Sequence, residues 1–390
     1  MNLVPEITAL ERPMREWRRH LHAHPETAFE EKATSAFVAE KLRSFGLDVH
    51  TGLAGTGVVG VLRNGTSRES IGLRADLDAL PIHEQSGAAH ASQHPGRMHA
   101  CGHDGHTTML LAAAKALTAR REFDGTVHFI FQPAEENEGG GRVMVEEGLF
   151  DRFPMRAVYG MHNWPRLPAG TFAMRAGPLM GAYDVFEIVA TGKGAHAAMA
   201  YQGKDPMLFA AHAIHALQTI VSRNLHPLDA GVVSVTQVHA GDTWNVIPEQ
   251  VVLRGTVRSF EPRVQDLIEQ RMGTLVEGIA AMFEMTATLR YERRYPATVN
   301  SAPETACARR AAEATVGAGN VDTDPTPEMG SEDFAFMLQK KPGCYVWLGA
   351  GRGSETANLH NPRYDFNDEV LAIGASYWVR LAEQELPRER

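Results

Sequence analysis

Long apolar runs are missing from this chain, and with them the means to cross a membrane. No stretch approaches the roughly 18 apolar residues that a spanning helix needs. The opening Met1-Asn-Leu-Val-Pro-Glu6 has neither the basic region nor the apolar core of a secretory signal. Cysteine is scarce as well: Cys101, Cys307 and Cys344 are an odd number set far apart, which gives no disulfide framework. Nor is there an excess of positive charge. The formal net charge is -9, with lysine and arginine scattered along the chain, and this argues against a nucleic-acid partner or a membrane-seeking basic face. Internal repeats and low-complexity tracts are absent too. What remains is an ordinary globular composition, 44% hydrophobic and 22% charged, for which a cytoplasmic location is expected. At 390 residues the chain is too long for one ordinary core, so two domains are expected.

What is present concentrates in Arg97-Met-His-Ala-Cys-Gly-His-Asp-Gly-His106. Cys101 and His103 stand two apart on a glycine-rich loop. The run behind them, Thr107 to Ala119, places Leu110, Leu111, Ala114 and Leu117 at helical spacing. Asp104 or Thr107 can cap that helix. A thiolate and an imidazole held ahead of a helix make a metal corner. Each residue alone also has a bland reading, with His99 and His106 solvating a loop and Cys101 packing as a small hydrophobe. The group reading gains weight because ligand-type residues recur downstream.

Upstream, residues 6–22 and 30–45 read as amphipathic helices. Between them lies Leu21-His-Ala-His-Pro-Glu26, where His22 and His24 read as solvated helix-end residues. Gly55-Thr-Gly-Val-Val-Gly60 matches a dinucleotide fingerprint in letters. That motif needs a helix after its glycines, and the residues here have a strand pattern, so a nucleotide site is rejected. The next strand, Ser70 to Leu73, runs into Asp76 and Asp78, two apart and on one face. Open α/β sheets place their chemistry at such carboxyl ends. The strand Val127 to Phe131 delivers Glu135 and Glu136. Adjacent carboxylates diverge, so one can bind metal while the other takes a proton from water. A solvated acidic loop that includes Glu138 is the bland alternative, and the strand-end placement disfavours it. The strand Ala157 to Met161 delivers His162.

From about Gly181 the texture changes. The pattern of strand 183–190, helix 206–221, strands 231–238 and 250–257, helix 262–283 and strand 286–291 is the β-α-β-β-α-β order of a ferredoxin-like sandwich. It carries His196 in a glycine-rich turn, Asn245 before a strand and Arg258 at a strand end. Beyond it, Ser331 to Phe334 opens a helix, Cys344 to Leu348 is a strand, and His360 lies in a polar loop. Asp368 is expected to cap the last helix, 369–385.

Taken in order, these motifs resemble the M20 metallopeptidase family in its aminoacylase branch, which holds hippurate hydrolases, N-acetylamino acid deacetylases and plant auxin-conjugate hydrolases. The resemblance covers nearly the whole chain. It runs from Leu21–Glu26 through Arg74–Pro81, His99–His106, Pro133–Glu136, Gly160–His162, Gly192–His196 and Asn245–Pro248 to Gly330–Asp333 and His360–Asp368. The implied fold class is α/β: a catalytic domain of residues 1–180 and 297–390 with a mostly parallel sheet flanked by helices, plus an inserted α+β dimerisation domain, 181–296. Hinges near Gly181 and Pro296 would let the two close.

The resemblance implies that Cys101, His103, Glu136, His162 and His360 hold two divalent ions. A thiolate ligand leans toward zinc, and manganese, nickel or cobalt also accept such sites. It implies that Glu135 is the general base on a bridging water and that Asp78 orients a ligand. His196 would reach into a partner's site to bind the oxyanion, which makes a homodimer or larger homo-oligomer the expected state. Asn245 and Arg258 would contact substrate, Arg258 as a carboxylate clamp or else as a structural salt bridge. Other branches have His-x-Asp where this chain has Asp76-Leu-Asp78, and an aspartate where it has Cys101, so His103 substitutes for the usual first histidine. A proline expected near Met199-Ala200 is missing. The implied activity is metal-dependent hydrolysis of small N-acyl-L-amino acids. The alternatives are a dipeptidase or carboxypeptidase of the same fold, or a binding protein with a structural metal, against which Glu135 argues.

Overall fold

The computed structural model describes residues 1–136, 138–353 and 356–388. The chain divides into two compact units. One comprises Met1–Leu179, Val299–Thr326 and Asp333–Arg390, the other Met180–Thr298 and Pro327–Glu332. Among the described residues no helix is long and apolar enough to cross a membrane.

The first unit is built on an eight-stranded sheet in the order Asp48–Leu53, Gly57–Asn64, Gly125–Gln132, Ser70–Asp76, Ala157–Pro168, Gly343–Gly351, Phe172–Ala173 and Val321–Asp322. Its four central strands run parallel, and antiparallel pairs flank them. Every residue of Gly125–Gln132 is buried. A strand covered on both faces reads as a continuous apolar run, as a parallel sheet between helix layers requires. Helix His103–Arg120 contributes Met109, Leu110, Leu111 and Leu117 to that core, and helix Leu371–Glu385 contributes Tyr377, Trp378 and Leu381. The parallel register places Asp76 opposite Gln132 and Arg74 opposite Gly160. The segments carrying Asp78 and Glu135 therefore leave the sheet side by side at its carboxyl edge, and His162 sits at the same end of the sheet, still within strand Ala157–Pro168 opposite Trp347.

The second unit is a ferredoxin-like sandwich. Its antiparallel sheet runs Gly231–His239, Gln250–Ser259, Ala182–Thr191, Thr286–Tyr295. Phe186, Ile188, Ala190, Val251, Leu253 and Val257 on one face pack with Phe209, Leu217, Ile268 and Met272 of helices Pro206–Thr219 and Pro262–Met282. The alternate residues of Ala182–Thr191 are more exposed, as strand periodicity demands.

Several local expectations are corrected. The 6–22 helix is two pieces, Pro5–Thr8 and Glu11–Ala23. Asp368 does not cap the last helix. Asn367 caps a short 3-10 turn by accepting the Glu369 amide at 3.2 Å, and the α-helix begins at Leu371. Asp368 instead takes Arg18 at 2.7 Å and Arg19 at 2.9 Å, because the fully buried Arg18 guanidinium needs charged partners more than a helix end needs a cap. The segment from Ser331 opens only the short helix Ala335–Leu338. The residues after Gly57 do form a strand, Gly57–Asn64, as their pattern predicts, and residues 54–56 make the hairpin turn that joins it to Asp48–Leu53.

Candidate metal centre and active site

The corner between Cys101 and His103 depends on Gly102. Its φ is 92°, and a Cβ there would run into the Asn163 amide and the Tyr364 hydroxyl, so the left-handed turn and the close approach both require glycine. The helix starts at His103 with no side-chain cap, which corrects the expectation for Asp104 and Thr107. Asp104 is drawn away by the His22 ring, 2.8 Å from its Oδ2, and by Arg18 at 3.6 Å. Thr107 donates instead to the Asp76 carbonyl at 2.8 Å. His22 is therefore buried and ion-paired rather than solvated, while His24 is partly exposed, its Nδ1 2.8 Å from the His20 carbonyl.

His103 donates Nδ1–H to the Asp78 carbonyl at 2.8 Å, with the Asp78 Oδ1 at 3.2 Å. That hydrogen bond leaves Nε2 as the nitrogen able to ligate, and this buried atom has no hydrogen-bond partner. His162 is fixed in the same way: its Nδ1 meets the Asn163 carbonyl at 2.6 Å, and its Nε2 lies 3.3 Å from Cys101 Sγ. His360 Nε2 is 3.1 Å from Glu136 Oε1. The ligand atoms of Cys101, Glu136 and His360 lie within 4.8 Å of one another, as do those of His103, Glu135 and Glu136. The structure thus brings together all five residues expected to ligate, with Glu135 among them and Asp78 behind His103. The two glutamates do not diverge as expected. Ala134 before them is left-handed, at φ 53°, and both side chains turn toward His103.

The electrostatics call for a cation. Burial, with Glu136, Glu135 and Asp76 nearby, pushes the Cys101 thiol well above its ordinary range. Burial opposes charge on His103, yet Asp76, Asp78 and Glu136 outweigh it and lift the imidazole to about 10. The hydrogen bond to Glu136 raises His360. Burial, reinforced by His106, keeps His162 neutral. Excess negative charge around soft and borderline donors, with a buried imidazole nitrogen left unpaired, fits divalent ions.

Sequence reasoning missed a layer behind the ligands. Asp76 is buried between Arg74 Nη1 at 2.8 Å and His106 Nδ1 at 2.7 Å. His106 Nε2 accepts the Asn163 amide at 2.9 Å, Asn163 Nδ2 donates to the Cys101 carbonyl at 2.7 Å, and the Tyr364 hydroxyl donates to Asn163 Oδ1 at 2.6 Å. Asp76, His103, His106 and His162 lie close enough to share a cation, but both nitrogens of His106 are already engaged. His106 closes the quoted motif, where it reads as a loop residue, and Asn163 directly follows His162; nothing in the letters signalled their burial.

In the second unit, His196 and Asn245 lie together on a two-stranded ribbon, with Val246 opposite His196 and the Asn245 carbonyl accepting the Ala197 amide at 2.9 Å. His196 is exposed, and its Nδ1 accepts the Ala198 amide at 3.1 Å, so Nε2 carries the proton. Arg258, on strand Gln250–Ser259, lies 4.2 Å from the Tyr183 ring centre and donates to Ser331 Oγ at 3.2 Å. Among the described residues no carboxylate forms a salt bridge with it.

A parallel-centred sheet carrying clustered thiol, imidazole and carboxylate donors at its carboxyl edge defines a metal-dependent hydrolase. The model of peptidase family M20/M25/M40 matches residues 72–384. A hippurate hydrolase of Campylobacter jejuni is 39% identical over 98% of this chain and 99% of its own length. An N-acetyl-L-cysteine deacetylase of Bacillus subtilis is 39% identical over 97% of this chain and 89% of its own. A crystal structure of a dinuclear metal-binding M20 peptidase from Bacillus subtilis superposes with a TM-score of 0.85 at 36% identity, covering 97% of this chain and 99% of the other. The chain belongs to the M20 family and is one of its metal-dependent amidohydrolases.

Proposed function

We propose that the protein hydrolyses the amide bond of small N-acyl-L-amino acids, releasing a carboxylic acid and a free amino acid. The observation that carries this reading is Glu135, a carboxylate within reach of His103 and Glu136 yet additional to the five ligands. A purely structural metal site has no use for it. The hippurate hydrolase and deacetylase relatives support the substrate class.

Cys101, His103, Glu136, His162 and His360 would hold two divalent ions, with zinc favoured by the thiolate and imidazoles. When bound, the ions polarise the scissile carbonyl and make water more acidic. Glu135 takes a proton from the attacking water and returns it to the departing nitrogen, so that amide and water become acid and amine. Asp78 holds His103 in the tautomer that presents Nε2. His196, with its proton on Nε2, is a donor suited to the developing oxyanion. We assign it to a second copy's site, reached in a homodimer formed through residues 181–296. Arg258, with no carboxylate salt bridge among the described residues, is suited to the substrate carboxylate, and Asn245 beside His196 is a further substrate contact.

The first test strips the enzyme with a chelator, refills it with single metals, and monitors glycine release from benzoyl-glycine. Activity should vanish and return. Glu135→Gln in refilled enzyme should lower kcat by roughly 100- to 10,000-fold, and full turnover by that variant would refute the mechanism. Acetyl- and benzoyl-amino acids should be cleaved better than dipeptides, and the reverse ranking would replace the substrate class.

A further inference from the structure

The turn that carries Glu135 and Glu136 hangs between two carboxylates. On one side Asp78 Oδ2 accepts the Glu136 amide at 3.0 Å. On the other stands Glu31, a residue outside the ligand set and just ahead of helix Lys32–Ser44. Glu31 is fully buried, and among the described residues it pairs with no cation. Its Oε1 accepts the Ala134 amide at 2.9 Å and the Phe29 amide at 3.0 Å, and its Oε2 accepts the Thr56 hydroxyl at 2.7 Å.

The two amides on Oε1 share a feature. Phe29 sits at φ 60° and Ala134 at φ 53°, in the left-handed region that residues with a Cβ avoid unless their surroundings hold them there. Ala134 directly precedes Glu135. Its carbonyl accepts the Gly140 amide at 2.9 Å, so its conformation sets the direction in which the chain leaves strand Gly125–Gln132. Relaxing Ala134 to an ordinary backbone conformation would rotate the next peptide and swing both glutamates off their aim. Burial lifts the Glu31 carboxyl to about 7 against the Thr56 hydrogen bond that lowers it. The geometry suits either protonation state, because a protonated Oε2 can donate to Thr56 while Oε1 still accepts both amides.

We infer that Glu31 is a positioning residue for catalysis: its Oε1 holds Ala134 in the left-handed conformation that aims Glu135 and Glu136 into the metal centre. The inference rests on the assignment of Glu135 as general base. What Glu31 must supply is an acceptor oxygen, and its charge is dispensable.

The experiment measures kcat and KM for benzoyl-glycine in metal-saturated enzyme. The variants are Glu31→Met, which keeps the volume and removes both acceptors, Glu31→Gln, Ala134→Gly, the double variant Glu31→Met/Ala134→Gly, and Glu135→Gln. Glu31→Met should lose roughly 10- to 100-fold in kcat, the scale of an ångström-level misplacement, with KM nearly unchanged. Glu31→Gln should restore most of that loss, its amide oxygen accepting both backbone amides and its NH2 donating to Thr56. In the Ala134→Gly background the same Glu31→Met change should cost several-fold less, since glycine occupies positive φ unaided. A loss of equal size in both backgrounds, or a Glu31→Gln as damaged as Glu31→Met, would overturn the inference. Should Glu31→Met not fold, Glu31→Asp, one methylene short of Ala134, replaces it with the same expected fall in kcat and the same coupling to Ala134→Gly. Unchanged kcat would overturn the idea there too. If Glu135→Gln is inactive while Glu31→Met turns over like wild type, this inference alone falls. If Glu135→Gln is fully active, the assignment of the base falls and takes this inference with it.

Discussion

Replacing Asp78 tests the support behind the metal ligands, and the structure ranks two substitutions. The carboxylate does two things: Oδ2 accepts the Glu136 amide at 3.0 Å, and Oδ1 shares the His103 Nδ1 proton with the Asp78 carbonyl, the carbonyl being closer at 2.8 Å. Asp78→Ala removes both acceptors, but His103 keeps the main-chain carbonyl. The loss therefore falls mainly on the Glu136 amide, a partly buried donor left without an acceptor. Such a group costs about 1–2 kcal/mol, in the lower part of the usual range because burial is incomplete. If the cost appears only when Glu136 must face a cation, metal affinity falls roughly 5- to 30-fold, overlapping the lower part of the roughly 10- to 100-fold span typical of residues that orient metal ligands. Asp78→Asn should do less harm. Its oxygen can turn to the Glu136 amide and its NH2 toward His103, whose proton then goes wholly to the carbonyl, and the loss should stay below about fivefold. The assay is titration of chelator-stripped enzyme with zinc or manganese against a competing chelator near neutral pH, with recovered activity as a second readout. Wild-type affinity in Asp78→Ala would refute the reasoning, as would an asparagine variant weaker than the alanine one.

Two further predictions concern stability. Burial opposes charge on His22, but Asp104 and Glu84 raise its pKa to about 9. A raised imidazole stabilises the fold fully below its unfolded value of about 6.5 and loses that contribution as pH rises through about 9. Thermal melts of metal-loaded protein should therefore weaken across that window, and His22→Gln should flatten the decline. An unchanged slope in the variant would mean that the His22–Asp104 pair is not the titrating element. Gly102→Ala should destabilise by more than about 1 kcal/mol, because alanine resists the φ of 92° and its methyl strikes Asn163 and Tyr364. Urea unfolding and bound-metal analysis should both register the defect. A native unfolding midpoint with full metal content would show that the corner can open without cost.

The clustering of the candidate site residues was readable because a parallel sheet turns one-dimensional spacing into shared position. Asp78, Glu135 and His162 each come just after an apolar strand run, and strands aligned in parallel register deliver their C-terminal residues to one edge. The supporting residues were not readable, because each acts through a partner distant in sequence. His22 looked like a solvated helix end until its partner Asp104 and their shared burial were known. His106 looked like a loop residue, and it stands fully committed between Asp76 and Asn163.

Determined by the amino-acid order itself were the alternation of strands and helices, the β-α-β-β-α-β pattern of the inserted sandwich, and the donor types at the strand ends. These come from hydrophobic period and local chain stiffness, which act over a few residues. Tertiary structure alone decided the rest: that Asp104 and Asp368 serve buried arginine and histidine rather than helix ends, and that Glu135 and Glu136 converge instead of diverging. It also decided that Glu31 and Asp78 grip the glutamate turn from two sides. The physical reason is the same in each case. A buried polar group must find a partner or lose a large desolvation energy, and which partner lies within reach is settled only when segments far apart in the chain are packed together.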